Sequence, residues 1–82
     1  MTSPATSGPA RAAFLEELVR LRTQAGLTPL ELAQRLGVKE NAVTRGEAGT
    51  RQVGVVELQR WAFACGSTLE EFGRRLETRT LQ

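Results

Sequence analysis

The sequence predicts an all-α fold of five short helices, and two observations carry that prediction. From Arg11 onward apolar residues recur at spacings of three and four, and no stretch alternates with the period of two that marks a half-buried strand. Glycines at 26, 37, 49 and 66 then cut this pattern into pieces of helix length, with Thr or Ser placed as caps after the first and last of them.

Residues 1–10, MTSPATSGPA, hold nothing that builds a core and are expected to form a disordered tail. The first helix follows from Arg11. Phe14, Leu18, Leu21 and Ala25 share one face, Leu15 and Val19 widen it, and Gly26 stops it. Thr28 caps a second helix and Glu31, three residues on, completes a capping-box pattern. Pro29 stands at the first helical position, where a missing N–H costs nothing. Leu32, Ala33 and Leu36 form the buried face and Gly37 ends the segment. A third helix runs from about Glu40 to Ala48, ends at Gly49 and is followed by the loop GTRQVG. Val55, Leu58, Trp61, Ala62 and Cys65 mark the inner face of a fourth helix. Ser67 or Thr68 caps a fifth, with Glu70 and Glu71 placed for a capping box and Leu69, Phe72 and Leu76 inward. The folded domain is expected to span 11–77, with 78–82 as a C-terminal tail.

Composition removes whole classes of function. A chain of 82 residues makes one small domain, which hides only about 60% of its unfolded surface and leaves little room for a catalytic cleft. There is no His and no Asp, and Cys65 is the only cysteine. The commonest general base, the commonest metal ligand and any disulfide framework are therefore excluded, so neither an enzyme nor a cofactor or metal site is expected. Glu16–Glu17 and Glu70–Glu71 are sequence neighbours on helices and are not expected to aim paired carboxylates at one spot. No apolar run reaches membrane-span length and no signal peptide is visible, so a cytoplasmic protein without membrane contact is expected. The net charge of +2 permits a nucleic-acid partner without demanding one. Ten of the eleven cations are Arg, the better bidentate partner for phosphate and guanine edges.

Residues 29–48, PLELAQRLGVKENAVTRGEA, carry the functional signal. Two helices that cross steeply need a small side chain at the crossing, which Ala33 supplies, and a residue tolerant of positive φ at the turn, which Gly37 supplies. Leu32, Leu36, Val38 and Val43 are expected to lock the pair onto the bundle, leaving the outer face of the third helix free. With LVRLR (18–22) before it and VVELQRWAFACG (55–66) after it, this segment resembles the lambda-repressor-like helix-turn-helix domains of Cro and xenobiotic-response-element type. The resemblance spans about residues 12–72.

That resemblance implies a DNA-binding transcriptional regulator, expected to repress by occupying a near-palindromic operator as a homodimer on double-stranded DNA. It implies that the third helix enters the major groove with Glu40, Asn41, Ala42, Thr44 and Arg45 toward the bases. Asn suits adenine N6 and N7, Arg suits guanine O6 and N7, and Glu accepts from cytosine N4. It implies phosphate contacts from Thr28, Pro29, Lys39, Thr50, Arg51 and Gln52, and a buried ion pair between Arg22 and Glu47. Pro29 departs from the family's usual Gln and removes a donor. Lys39 replaces a Ser or Thr cap. Gly46 stands where relatives bury Trp, Ile, Leu or Tyr, so a weak point in the core is expected unless Trp61 or Phe63 fills the gap. A dimer surface is expected around Ser67–Leu76. An antitoxin-like or adaptor subunit that also serves a protein partner is the alternative, although residues 73–82 are short for that task.

Overall fold

A computed structural model of the chain describes residues 8–81. Five helices follow one another: α1 (Pro9–Gln24), α2 (Pro29–Leu36), α3 (Glu40–Ala48), α4 (Val55–Ala64) and α5 (Leu69–Thr80). Among the described residues none lies in a strand. The expected all-α class and element order hold, and the ends shift outward. Pro9 and Ala10 belong to α1, with Gly8 at its N-cap and Pro9 at a position that needs no N–H. Thr78–Thr80 belong to α5. The rest of the expected N-terminal tail, residues 1–7, lies outside the described residues.

Local chemistry accounts for the helix boundaries. The Thr28 hydroxyl accepts from the Glu31 N–H at 3.1 Å, and the Glu31 carboxylate accepts from the Thr28 N–H at 2.8 Å. This capping box satisfies two donors that the helix start would otherwise leave bare. Thr68, not Ser67, caps α5 by accepting from the Glu71 N–H at 3.0 Å. The Glu71 carboxylate does not complete the reciprocal bond and pairs instead with Arg74. Gly37 ends α2 at φ +72, which makes the tight turn into α3 possible without Cβ strain.

One core holds these helices together. Leu18, Leu32, Val43 and Trp61 are fully buried, with Leu27, Ala33, Leu36, Leu58 and Phe72 beside them. Phe14 meets Phe72 edge to face at a centroid distance of 5.6 Å, a favoured aromatic geometry. Trp61 is core, as its spacing predicts, and Cys65 is half-buried against the same cluster. The sequence pattern places Ala25, Val38 and Val55 inward, but all three are exposed. Each sits at a helix boundary, where the chain leaves the helical path and periodicity stops predicting direction.

The α1–α5 contact contains a charge that periodicity does not reveal. Glu17 is buried and accepts from Arg75 Nε at 3.1 Å and Arg79 Nη1 at 3.0 Å. Arg79 also pairs with Glu16, so one guanidinium does draw the two adjacent carboxylates to it, contrary to expectation. Burial alone would raise the Glu17 pKa, but the hydrogen bonds and charges of Arg75 and Arg79 outweigh it and hold the carboxyl below its ordinary value. The resulting stabilisation is complete above the unfolded carboxyl pKa of about 4.3 and is lost as pH falls through the lower folded value. Urea midpoints should therefore drop below about pH 4 in the wild type. Glu17→Gln should lower the midpoint at pH 7 and flatten that acid slope. An unchanged slope in the variant would remove Glu17 from the acid response.

Candidate nucleic-acid interface

α3 presents two chemically distinct sides. Val43 and Gly46 are buried, and Glu47 is turned inward. Glu40, Asn41, Thr44 and Arg45 are exposed, and Lys39 stands exposed at the N-cap. Asn41, Thr44 and Arg45 are three and four residues apart, so they share one face of the helix. Among the described residues no ion pair engages Lys39, Glu40 or Arg45. Lys39 makes no side-chain cap bond, because its ammonium has no acceptor to offer the helix N–H groups. Ala42 differs from the others assigned to base reading. It is half-buried, and its carbonyl accepts from Arg51 Nη2 at 2.7 Å.

Arg51 is the main departure among the residues assigned to phosphate. Its guanidinium meets the Glu57 carboxylate at 2.9 and 2.8 Å, the Ala42 carbonyl through Nε and Nη2, and the Gln52 carbonyl at 3.3 Å. All five N–H donors are thereby engaged. The Glu57 hydrogen bonds raise the Arg51 pKa above its ordinary value despite partial burial. Arg51 thus ties the start of α4 to the first turn of α3 and sets how the exposed face is held. No signal in a single sequence joins two residues six apart across a loop.

The remaining phosphate candidates divide. Thr50 and Gln52 are exposed on the loop, where the Thr50 hydroxyl donates weakly to the Arg45 carbonyl at 3.4 Å. At the α2 terminus, Thr28 N–H and Glu31 N–H are both engaged in the capping box and Pro29 has none. Only the Leu30 N–H and the Thr28 hydroxyl proton remain to meet a phosphate, beside a Glu31 carboxylate that repels one. Gly49 carries the loop away from α3 at φ +82. Its carbonyl accepts from Arg11 Nη2 at 2.7 Å, and a Cβ there would lie 2.8 Å from Leu15 Cδ1. Gly49 is therefore favoured by its left-handed conformation, and a Cβ there would also make the end of the Leu15 side chain shift.

Behind α3, Arg22 and Glu47 form the ion pair that the resemblance implies. Nε and Nη2 of Arg22 meet the two Glu47 oxygens at 2.8 and 3.0 Å, and Nη1 donates to the Leu27 carbonyl at 3.0 Å. A helix-turn-helix domain family matches residues 13–75, which take in the end-to-end arrangement of α1 through most of α5. The chain belongs to that helix-turn-helix family, of the Cro and lambda-repressor kind. Neither the curated proteins nor the solved structures gave a match. Membership in this helix-turn-helix family indicates a DNA-binding regulator. No helix among the described residues is long and apolar enough to cross a membrane.

Proposed function

We propose that this helix-turn-helix protein is a sequence-specific repressor that occupies a near-palindromic operator as a dimer, with α3 in the major groove. The observation that supports it most is the division of α3 into a core side and an exposed side whose polar groups have no competing ion pair. In this reading Asn41 and Arg45 read adenine and guanine edges, Thr44 lies between them, and Glu40 accepts from cytosine at the first turn. Ala42, half-buried beneath Arg51, contributes shape at most. Lys39, Thr50 and Gln52 meet phosphates, and Thr28 adds one hydroxyl. The proposed place of action is the cytoplasm, where such an operator would lie.

Selection of protein-bound duplexes from a random pool tests this reading, because it reports both a preferred sequence and its half-site spacing. Asn41→Ala and Arg45→Ala should relax preference at particular bases, at about 1–3 kcal/mol each. Lys39→Ala should weaken all duplexes alike and flatten the salt dependence by about one unit of slope. Arg51→Ala should leave that slope in place and lower thermal stability. Failure of the selection to yield any consensus would defeat the proposal.

Dimerisation is proposed to occur on the operator rather than before it. One recognition helix reads too few base pairs for a genome, and paired helices about 34 Å apart solve this. The outward side of the expected Ser67–Leu76 surface is polar, with Thr68, Glu70 and Arg74 exposed and Phe72 buried against α1. Such a surface adds little association energy alone. Sedimentation should show a monomer in solution and two copies on a symmetric site. One copy on an asymmetric site would overturn the dimer.

A further inference from the structure

Phe63 is 80% exposed, although the other two aromatic side chains of its kind, Phe14 and Phe72, are packed on each other. It shares a face of α4 with Val56 and Arg60 at spacings of four and three, opposite the buried Leu58, Trp61 and Ala62. A shallow groove runs between this face and the C-terminal end of α2. Leu36, Ala64 and Phe63 line one half of it, and Leu36, Val38 and Val56 line the other. Arg60 stands at the join and Arg35 at the Phe63 end.

Both arginines keep donors free. Arg35 Nη1 donates to the Ala64 carbonyl at 3.0 Å and Arg60 Nη2 to the Leu36 carbonyl at 3.3 Å. Among the described residues neither is in an ion pair, and Glu57, the acid bordering the groove, is held by Arg51. The surface therefore combines neighbouring apolar side chains with the positive charge of Arg60 and of Arg35, the latter partly offset by Glu31 one turn away on α2. Contiguous exposed apolar area of this kind marks interaction sites more often than isolated exposed residues do. A second copy is a poor occupant, because a two-fold axis through the groove brings Arg60 toward its own image, and the carboxylate that borders the groove, Glu57, is already held by Arg51.

We propose that the α2–α4 groove is a docking surface for an acidic amphipathic helix of a protein partner, with apolar side chains against Phe63 and Val56 and carboxylates against Arg35 and Arg60. The groove lies at the end of α2 away from Thr28 and Pro29, a separation of about 12 Å along an eight-residue helix.

The test uses the full chain labelled with 15N and three synthetic helical peptides of about four turns. They share one Leu/Phe face and carry Glu, Gln or Lys along its borders. Saturable shifts centred on Arg35, Arg60 and Phe63 are expected with the Glu peptide, and binding about tenfold weaker with the Gln peptide. Phe63→Ser should abolish binding without lowering the melting temperature. Arg60→Glu should move the preference from the Glu to the Lys peptide. Equal binding of the Glu and Gln peptides, no saturable binding, or shifts elsewhere would overturn the proposal. So would a concentration-dependent dimer that Phe63→Ser dissolves, since the occupant would then be a second copy.

Discussion

Gly46→Leu should destabilise the protein by about 1–3 kcal/mol, the cost of forcing extra volume into a packed core. For a domain of this size each kcal/mol lowers the melting temperature by about 4–8 °C. From the sequence the opposite sign is equally reasonable, because a glycine at an inward helix position leaves a hole and lacks rigidity. The packing decides between them. A Cβ on Gly46 would lie 3.1 Å from Val53 Cγ2 and 3.2 and 3.3 Å from Trp61 Cη2 and Cζ3. The indole tip therefore occupies the volume that a large residue at 46 would need. Phe63, the other candidate filler, points to solvent. The fit has a cost of its own, since the buried Trp61 Nε1–H has no hydrogen-bond partner among the described residues. Trp61→Leu alone should open a cavity and cost a few kcal/mol. Combining it with Gly46→Leu should recover part of the loss, with a coupling of about 0.5–3 kcal/mol. Gly46→Ala should be near neutral, because a tight Cβ offsets a gain of about 1 kcal/mol in helix propensity. A rise in melting temperature for Gly46→Leu would mean the site is underpacked.

Those neighbours explain what a sequence reader sees here and what stays hidden. Helix period, the Thr28–Glu31 spacing and the Gly37 turn are local features, so the order of helices and the exposed side of α3 follow from residues within a few positions of each other. Gly46 stands out locally as an anomaly. Its consequence depends on Trp61, fifteen positions away and on another helix, so local sequence alone leaves both outcomes open. Arg51 has the composition of a phosphate ligand and becomes an internal clamp because Glu57 lies within reach across a loop. Glu17 sits among the polar residues of α1 and is buried only because α5 returns with Arg75 and Arg79. Arg22 and Glu47 are the exception among distant pairs: likeness to a family, not periodicity, joined two residues 25 apart.

Glu47→Gln should cost about 3–5 kcal/mol, because it leaves the Arg22 charge buried without its counter-ion. Only 14% of the Arg22 side chain and 9% of the Glu47 side chain are exposed, so water cannot replace the lost carboxylate. Both oxygens of Glu47 are engaged, and the Gln amide would turn a second donor toward a guanidinium that needs acceptors. The Leu27 carbonyl remains as the one other acceptor held by Arg22. Urea melts at neutral pH should show the loss as a lower midpoint with an unchanged slope. Replacing both partners together, as Arg22→Met with Glu47→Leu, should cost far less than the single change, because no charge is stranded. Cys65 supplies an independent local readout. Burial foremost, with the Glu47 charge adding to it, raises the Cys65 thiol above its ordinary pKa, while Arg35 and Arg22 act in the opposite direction. Loss of the Glu47 charge should move the pH midpoint of Cys65 alkylation downward in the folded protein. A Glu47→Gln variant with wild-type melting and an unmoved thiol midpoint would show that the Arg22–Glu47 bridge does not hold α3 against α1.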